Sequence, residues 1–497
     1  MEHVDVLIVG AGISGIGAAC HLRRELPDRS FVILEGRDTF GGTWDLFRYP
    51  GIRSDSDMYT FGFAFRPWPS NEGIASAEAI RTYLGDTIDE YALGGAIRYR
   101  HRVLRVTWSS TARRWTVTAQ RLDDGAVVQL TCGFLVTGTG YYDYERGYTP
   151  DFPGLDDFDG RVVHPQHWPE DLDCTGKRVV IVGSGATAVT LVPALAPTAA
   201  HVTMLQRSPS YVMSRTRTEP VSAWMRRWLP PQIAHTLIRL KNSFLSWLLF
   251  RLAKRFPDRL RQILVDRVRE GTEGAVDVDR HFSPDYAPWD QRLCFVPDGD
   301  LFEALKSGRA DVVTDTIDHF DAGGVVLASG QRLDADVVVT ATGLQLKFLG
   351  GIEMQVDGRA IDASDLVTYR GVLFGNVPNW LALMGYTSSS WTLKVDLAAR
   401  YLCRLLRSMD RRDADMVVPV LDDDDQPTLP YMAHLANAGY VRRGDRALPR
   451  QRTTGPWRNR DDYFADLAAL SFGRLDDGVL AFEPRRALSA EVTTVES

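Results

Sequence analysis

Two glycine-rich turns, each placed directly after a strand-forming run, restrict this chain more than any other feature. Gly10-Ala11-Gly12-Ile13-Ser14-Gly15 follows Val4-Asp5-Val6-Leu7-Ile8-Val9. Gly183-Ser184-Gly185-Ala186-Thr187-Ala188 follows Arg178-Val179-Val180-Ile181-Val182. One such turn is weak evidence, because glycine clusters are common in loops. Two turns, each with an apolar strand before it and a helix pattern after it, require two βαβ units and two nucleotides held at once. The predicted helices cover about residues 14–24 and 186–196, and the predicted second strands cover Phe31–Leu34 and residues 201–205.

The fold class is therefore α/β, with two Rossmann-like (doubly wound) dinucleotide-binding domains and a helical insertion. Further strands are predicted near residues 97–106, 115–119 and 134–137, the last closing on Gly138-Thr139-Gly140. Asp336-Val337-Val338-Val339-Thr340-Ala341-Thr342-Gly343 repeats that strand-to-glycine ending. Residues 1–145 and 335–497 are assigned to the first domain, 146–215 and 290–334 to the second, and 216–289 to the insertion. Residues 372–386 and a helix over about 391–410 should complete the first domain. The tail, 487–497, is small and polar and is expected to be disordered.

The two turns differ in the charge that waits for the ribose. Glu35 stands 20 residues after Gly15, where an acid accepts a hydrogen bond from an adenosine ribose hydroxyl and repels a ribose phosphate. The first turn thus suits FAD or NAD. At the matching place in the second unit the chain has Gln206-Arg207-Ser208 and no acid. A guanidinium clamps a 2′-phosphate through two hydrogen bonds, so the second turn suits NADPH. The contrast between Glu35 and Arg207 assigns FAD to the first site and NADPH to the second.

At 497 residues the chain is long enough for two or three domains, and a net charge of −7 argues against general nucleic-acid binding. Its five cysteines, Cys20, Cys132, Cys174, Cys294 and Cys403, contain no CxxC pair, which argues against a redox dithiol or a zinc site. His164 and His167 have no further ligands at metal-binding spacing. Met1 leads straight into a strand, no leader or membrane-spanning run is apparent, and a reducing cytoplasm is expected. Residues 224–269 differ in character, mixing Trp228, Leu237, Leu240, Phe244 and Trp247 with Arg226, Arg227, Lys241, Arg251, Lys254 and Arg255. Two readings stand: a helical subdomain with a basic, solvated face, which charge patterning alone favours, and peripheral contact with an anionic membrane surface.

Between the two turns lies Phe158-Asp159-Gly160-Arg161-Val162-Val163-His164-Pro165-Gln166-His167-Trp168-Pro169, which matches FxGxxxHxxxWP. This stretch resembles the fingerprint of the class B Baeyer–Villiger flavin monooxygenases; the sister pattern of flavin N- and S-oxygenases has Tyr where this chain has Trp168. Gly41-Gly42-Thr43-Trp44 and Arg48-Tyr49-Pro50-Gly51-Ile52-Arg53-Ser54-Asp55 look like that family's flavin-proximal loop. Trp289-Asp290-Gln291-Arg292-Leu293-Cys294 looks like the loop that carries its active-site arginine.

The resemblance implies an NADPH- and O2-dependent FAD monooxygenase. It inserts one oxygen beside a ketone carbonyl through a peroxide on the flavin ring, giving an ester or lactone, and also oxygenates sulfides or thioamides. It implies Arg292 and Asp55 as catalytic residues, the first a fixed cation for the developing oxyanion and the second its orienting acid. Taken alone, Arg292 reads as a surface or ion-pair residue and Asp55 as a turn residue. The resemblance adds Ser14, Thr43, Trp44, Asp55 and Val103 to the cofactor contacts, beside Gly10, Gly12, Gly15, Glu35, Gly183, Ser184, Gly185, Ala186, Thr187, Ala188, Arg207 and Ser208. It makes His164 and Trp168 part of a hinge linker coupling NADP to the flavin domain, and sets the Gly385–Lys394 turn beside the flavin. The plain readings are a packed linker and a helix capped near Ser390 with Trp391 in the core. The alternative activity is a flavin N- or S-hydroxylase. A flavin disulfide reductase lacks its paired cysteines, and a non-catalytic nucleotide sensor fits poorly with motifs this complete.

Overall fold

The computed structural model describes residues 1–291, 293–422, 428–435 and 438–485. Arg292 and the 487–497 tail, to which expectations are attached above, lie outside the described residues.

Among the described residues, the first sheet has nine strands. Glu2–Val9 lies parallel between Phe31–Leu34 and Val127–Thr137. The apolar run of the first strand is explained by burial on both faces: Val6 and Ile8 enter one core cluster, Leu7 and Val9 the other. Val127–Thr137 serves two sheet regions. Its first half pairs antiparallel with Arg114–Arg121, and its end takes Trp380–Ala382 as a parallel neighbour. His101–Ser109 pairs antiparallel with Arg114–Arg121, Glu353–Val356 adds parallel to it, and Arg359–Ile361 closes the edge antiparallel. Helix Ile13–Glu25 packs against the late helix Trp391–Arg411 on one face of this sheet.

The second sheet has five parallel strands in the order Ala310–Thr314, His201–Gln206, Arg178–Val182, Val337–Thr340, Arg161–Val163. Its valines also alternate, Val179 and Ile181 facing one cluster and Val180 and Val182 the other. This arrangement corrects the expected return to the first domain at residue 335. Val337 and Val339 join the first of these clusters and Val338 the second, so the strand is central to the second sheet and the return follows Thr340. The fingerprint stretch is likewise more than a linker, because its Arg161–Val163 is an edge strand of this sheet.

The two connections between the sheets run side by side. Tyr148 N–H donates to Gly343 O, Asp143 N–H to Gln345 O and Lys347 N–H to Tyr141 O, at 2.8–3.0 Å. They form a two-ply ribbon.

The insertion is bracketed by the parallel pair Val212–Arg215 and Cys294–Pro297. Its main helices are Pro220–Trp228, Pro231–Arg255 and Pro257–Thr272, each begun by a proline whose missing N–H costs nothing in the first turn. The central helix docks on the first domain through Arg239. Its Nη2 donates to Asp396 at 2.7 Å and its Nη1 to the carbonyls of Tyr59, Thr60 and Gly62. Both members of this pair are buried. Among the described residues, no helix is long and apolar enough to cross a membrane.

Candidate active site

Both glycine turns have the backbone that a side chain would oppose. Gly10 has φ +101° and Gly183 φ +141°. A Cβ at Gly10 would meet Gly138 O at 2.7 Å, and one at Gly183 would be driven into Ala341 O. Each turn is thus pressed against the small-residue end of the neighbouring strand. At Gly15 a Cβ would overlap the Gly10 carbonyl, whereas the second unit accommodates a fully buried Ala188 at this place. The middle glycines are not crowded. The nearest atom to a Cβ at Gly12 would be Gly42 Cα at 3.7 Å, and at Gly185 nothing would lie within 4 Å.

The helices that follow, Ile13–Glu25 and Ala186–Leu195, begin with no side-chain cap and no acid in the first turn. Their leading N–H groups, the positive end of the dipole and the empty space fit a diphosphate at each turn. The residues present therefore fit two dinucleotides.

Glu35 lies 8 % exposed just beyond Phe31–Leu34. Its carboxylate accepts from Ala11 N–H at 2.7 Å and Arg37 N–H at 2.9 Å. Burial pushes the carboxyl above its usual pKa, against the opposing pull of these two donors. Val103 is packed in the core beside the Glu35 strand end, since Gly36 abuts the backbone of Arg102. Ser184 Oγ bonds Ser208 O at 3.2 Å and shares a 2.8 Å bond with Ser210 Oγ, fixing the second turn to the segment after Arg207. Arg207 itself is exposed.

A single cavity joins the two turns, and Gly12, Ser14, Ala186 and Thr187 all line it. Of the other expected residues, Thr43, Trp44 and Asp55 also line it. Gly10, Gly15, Glu35, Val103, Gly183, Ser184, Gly185, Ala188, Arg207 and Ser208 shape or flank the turns outside this cavity.

Thr43 Oγ1 and Tyr142 OH share a hydrogen bond at 2.7 Å. Trp391 Nε1 donates to Ser14 Oγ at 2.9 Å, and its indole stacks on Tyr141 at 5.3 Å between ring centres. Ser390 stands at the helix N-cap position but makes no capping bond; its hydroxyl instead meets Thr60 Oγ1 at 2.6 Å. Trp391 is thereby a cavity wall rather than a core residue. Burial pushes the Tyr49 phenol up to about 12, and Tyr49 lines the cavity together with Thr187 of the second turn.

His164 also lines the cavity. Burial lowers its pKa, and its Nδ1 accepts from Gln166 N–H at 3.2 Å. Its ring occupies the space a side chain at Gly147 would need. Gln166 donates to Asp143 O at 2.7 Å, and His167 Nε2 lies 2.9 Å from Glu145 O. The fingerprint therefore stitches the edge of the second sheet to the ribbon between the sheets. Among the described residues, no three His, Cys, Asp or Glu side chains come together to hold a metal ion.

A second cavity continues from the first. Asp55, Ser56, Phe295 and Ser389 line both, and beyond them the walls are mixed, apolar at Leu245, Leu249, Phe250, Trp289 and Leu293 and polar at Asp57, Arg215, Glu219 and Asn242. Asp55 stands where the nucleotide cavity meets this second chamber.

Two contributors had no assigned role from sequence. Tyr49 sits inside the Arg48–Asp55 stretch, yet only folding brings it onto one cavity wall with Thr187. Arg443 comes from the short helix Gly439–Gly444, with its guanidinium over the Tyr148 ring and one nitrogen 3.9 Å from the place of a Cβ on Gly343. Burial, then the charge of Arg207, lower its pKa, with Tyr148 opposing, so the two guanidiniums feel one another. Neither arginine has an ion-pair carboxylate among the described residues.

A flavin-binding monooxygenase-like family model matches residues 4–256. The FAD-containing monooxygenase EthA of Mycolicibacterium smegmatis is 46 % identical over 98 % of both chains. The chain belongs to the flavin-binding monooxygenase-like family. It is an FAD-dependent monooxygenase. The putative FAD-containing monooxygenase MymA of Mycobacterium tuberculosis is 48 % identical, covering 97 % of this chain and 98 % of its own. Among solved structures, an oxidized steroid monooxygenase bound to NADP aligns with TM-score 0.76 at 22 % identity, over 97 % of this chain and 100 % of that one. A cyclohexanone monooxygenase with bound ε-caprolactone gives 0.73 at 20 % identity, over 97 % and 100 %. These structures share the fold of two dinucleotide-binding domains.

Proposed function

We propose that this monooxygenase is of Baeyer–Villiger type. It converts a ketone, O2, NADPH and a proton into an ester or lactone, NADP+ and water, and also oxygenates sulfides or thioamides. The observation that carries this reading is the single cavity that touches both glycine turns and meets a second chamber at Asp55. A chain arranged this way brings two redox nucleotides and a small substrate to one place. The NADP bound by one structural neighbour and the ε-caprolactone bound by another support the cofactor and product classes.

In this reading FAD is held on Gly10, Gly12, Ser14 and Gly15, with Glu35 on its ribose and Thr43, Trp44 and Asp55 near its reactive end. NADPH is held on Gly183 to Ala188, with Arg207 and Ser208 at its 2′-phosphate and Arg443 as a second cation. Held there, FAD would supply the hydride acceptor for NADPH and the site of O2 activation. Arg292 keeps its positive charge at every working pH and would stabilise the oxyanion formed as the ketone carbonyl is attacked. Asp55 would orient that guanidinium. The Trp44 and Trp391 rings would exclude water from the reacting end.

The test is product analysis with linear, cyclic and aryl ketones beside a thioether and an amine. Ester or lactone with stoichiometric NADPH use is expected. Heteroatom oxidation with no ester from any ketone would reject the Baeyer–Villiger reading and leave the N- or S-hydroxylase. Arg292→Ala should keep NADPH-driven flavin reduction while losing ester. Ester at the wild-type rate would remove Arg292 from the chemistry.

A further inference from the structure

The outer face of the insertion has a composition unlike the rest of the surface. Ile233, Leu237, Leu240 and Phe244 recur at helical spacing along Pro231–Arg255 and are all exposed. They lie on the side opposite the buried Ala234, His235, Ile238, Arg239 and Asn242. The neighbouring helix Pro220–Trp228 adds Trp224 and Trp228, 59 % and 65 % exposed. A contiguous apolar face of this kind on a folded protein marks an interaction surface.

Charge indicates what it meets. Residues 220–261 hold nine Arg or Lys and one acid, Asp258, in a chain whose net charge is −7. Arg239, Lys241, Arg251 and Lys254 are paired with carboxylates from other segments, and the rest of the basic charge is left to the surface. Arg227 lies over Trp228, and Arg255 and Arg259 lie over Phe256. None of these three has an ion-pair carboxylate among the described residues. Exposed tryptophans interleaved with unpaired arginines around an apolar stripe complement a bilayer interface with anionic headgroups. The chamber reaches the surface beside this face, since Leu245, next to Phe244 in the helix, is both 49 % exposed and part of the chamber wall.

We infer that the Pro220–Trp228 and Pro231–Arg255 helices dock peripherally on an anionic lipid surface, and that the chamber behind them admits a lipophilic ketone or sulfide from the bilayer to Asp55. The docking stands on the surface alone; the delivery of substrate depends on the monooxygenase reading above.

The experiment is co-sedimentation of the FAD-loaded protein with phosphatidylcholine vesicles, with and without 30 mol % phosphatidylglycerol. Binding is expected only to the anionic vesicles and should weaken as salt is raised. Leu237→Glu with Leu240→Glu should reduce the bound fraction at least tenfold, and Arg255→Gln with Arg259→Gln at least threefold. Both pairs are solvent-exposed, so turnover of a small water-soluble ketone should be unchanged. Vesicle-loaded lipophilic ketone should be turned over at least fivefold more slowly by the stripe variant. Wild type that stays in the supernatant with anionic vesicles overturns the docking. So does a stripe variant that binds like wild type, or a wild-type dimer that becomes monomeric in the stripe variant without any vesicle binding. Retained docking with no difference on the vesicle-loaded ketone overturns the delivery route alone. Absence of ester from every substrate, with docking intact, overturns the Baeyer–Villiger reading instead.

Discussion

At the scale of single residues, positions with no alternative are the most legible. Gly15 is one: a methyl group there would fall on the Gly10 carbonyl. Gly15→Ala is expected to yield protein with at most a tenth of the normal flavin content, measured by absorbance after purification, whereas Gly185→Ala, facing empty space, should remain loaded with FAD. Glu35 and Arg207 could be read from spacing because the second strand of a βαβ unit always ends beside its glycine turn. Arg443 could not, because it comes 236 residues after Arg207 from another part of the chain. Arg207→Ala should weaken NADPH binding far more than NADH, by roughly tenfold to a hundredfold for a lost charge-assisted pair. Arg443→Ala should act in the same direction, more weakly. Equal losses for both nucleotides, measured by titration, would reject the 2′-phosphate role for either.

At the scale of elements, periodicity identifies a strand but not its sheet. Val337–Thr340 has the same buried valine pattern as any parallel strand, so its membership in the second sheet became clear only from its pairing with Arg178–Val182. Similarly, the Pro231–Arg255 helix was visible as a helix, but not that Arg239 on its inner side ends against Asp396 of Trp391–Arg411. Removing Arg239 leaves a buried carboxylate without its main counter-ion, so Arg239→Ala should cost about 3–5 kcal/mol in denaturant unfolding.

The same cluster contains His21, 3.4 Å from Asp396 and 3.3 Å from Glu25. Burial opposes its protonation, but hydrogen bonds to these two carboxylates outweigh that and hold its pKa above the usual histidine value. Its contribution is therefore fully present below the unfolded value of about 6.5 and is lost as pH rises through the folded pKa. A melting curve series from pH 6 upward should show this decline in wild type, and His21→Asn should flatten it.

At the scale of the whole molecule, the two-domain plan followed from the paired turns, while the seam between the domains did not. Its contacts, His164 against Gly147 and Gln166 against Asp143, join segments with no local signature of one another. A nucleotide lying across that seam binds the folded protein only, so NADP+ at a hundred times its Kd should add about 2.7 kcal/mol of stability to the FAD-loaded enzyme. Scanning calorimetry should show this shift, and Arg207→Ala should lose most of it at the same concentration. The late arrival of Trp380–Ala382 and Trp391–Arg411 beside the opening strand and helix has a consequence for biosynthesis. As the polypeptide leaves the ribosome, the complete second sheet emerges before the first can be closed. The opening strand must wait for most of translation, its apolar faces only partly covered, and mistranslation or stalling before residue 380 would release a nascent chain with one finished half and one unfinished half.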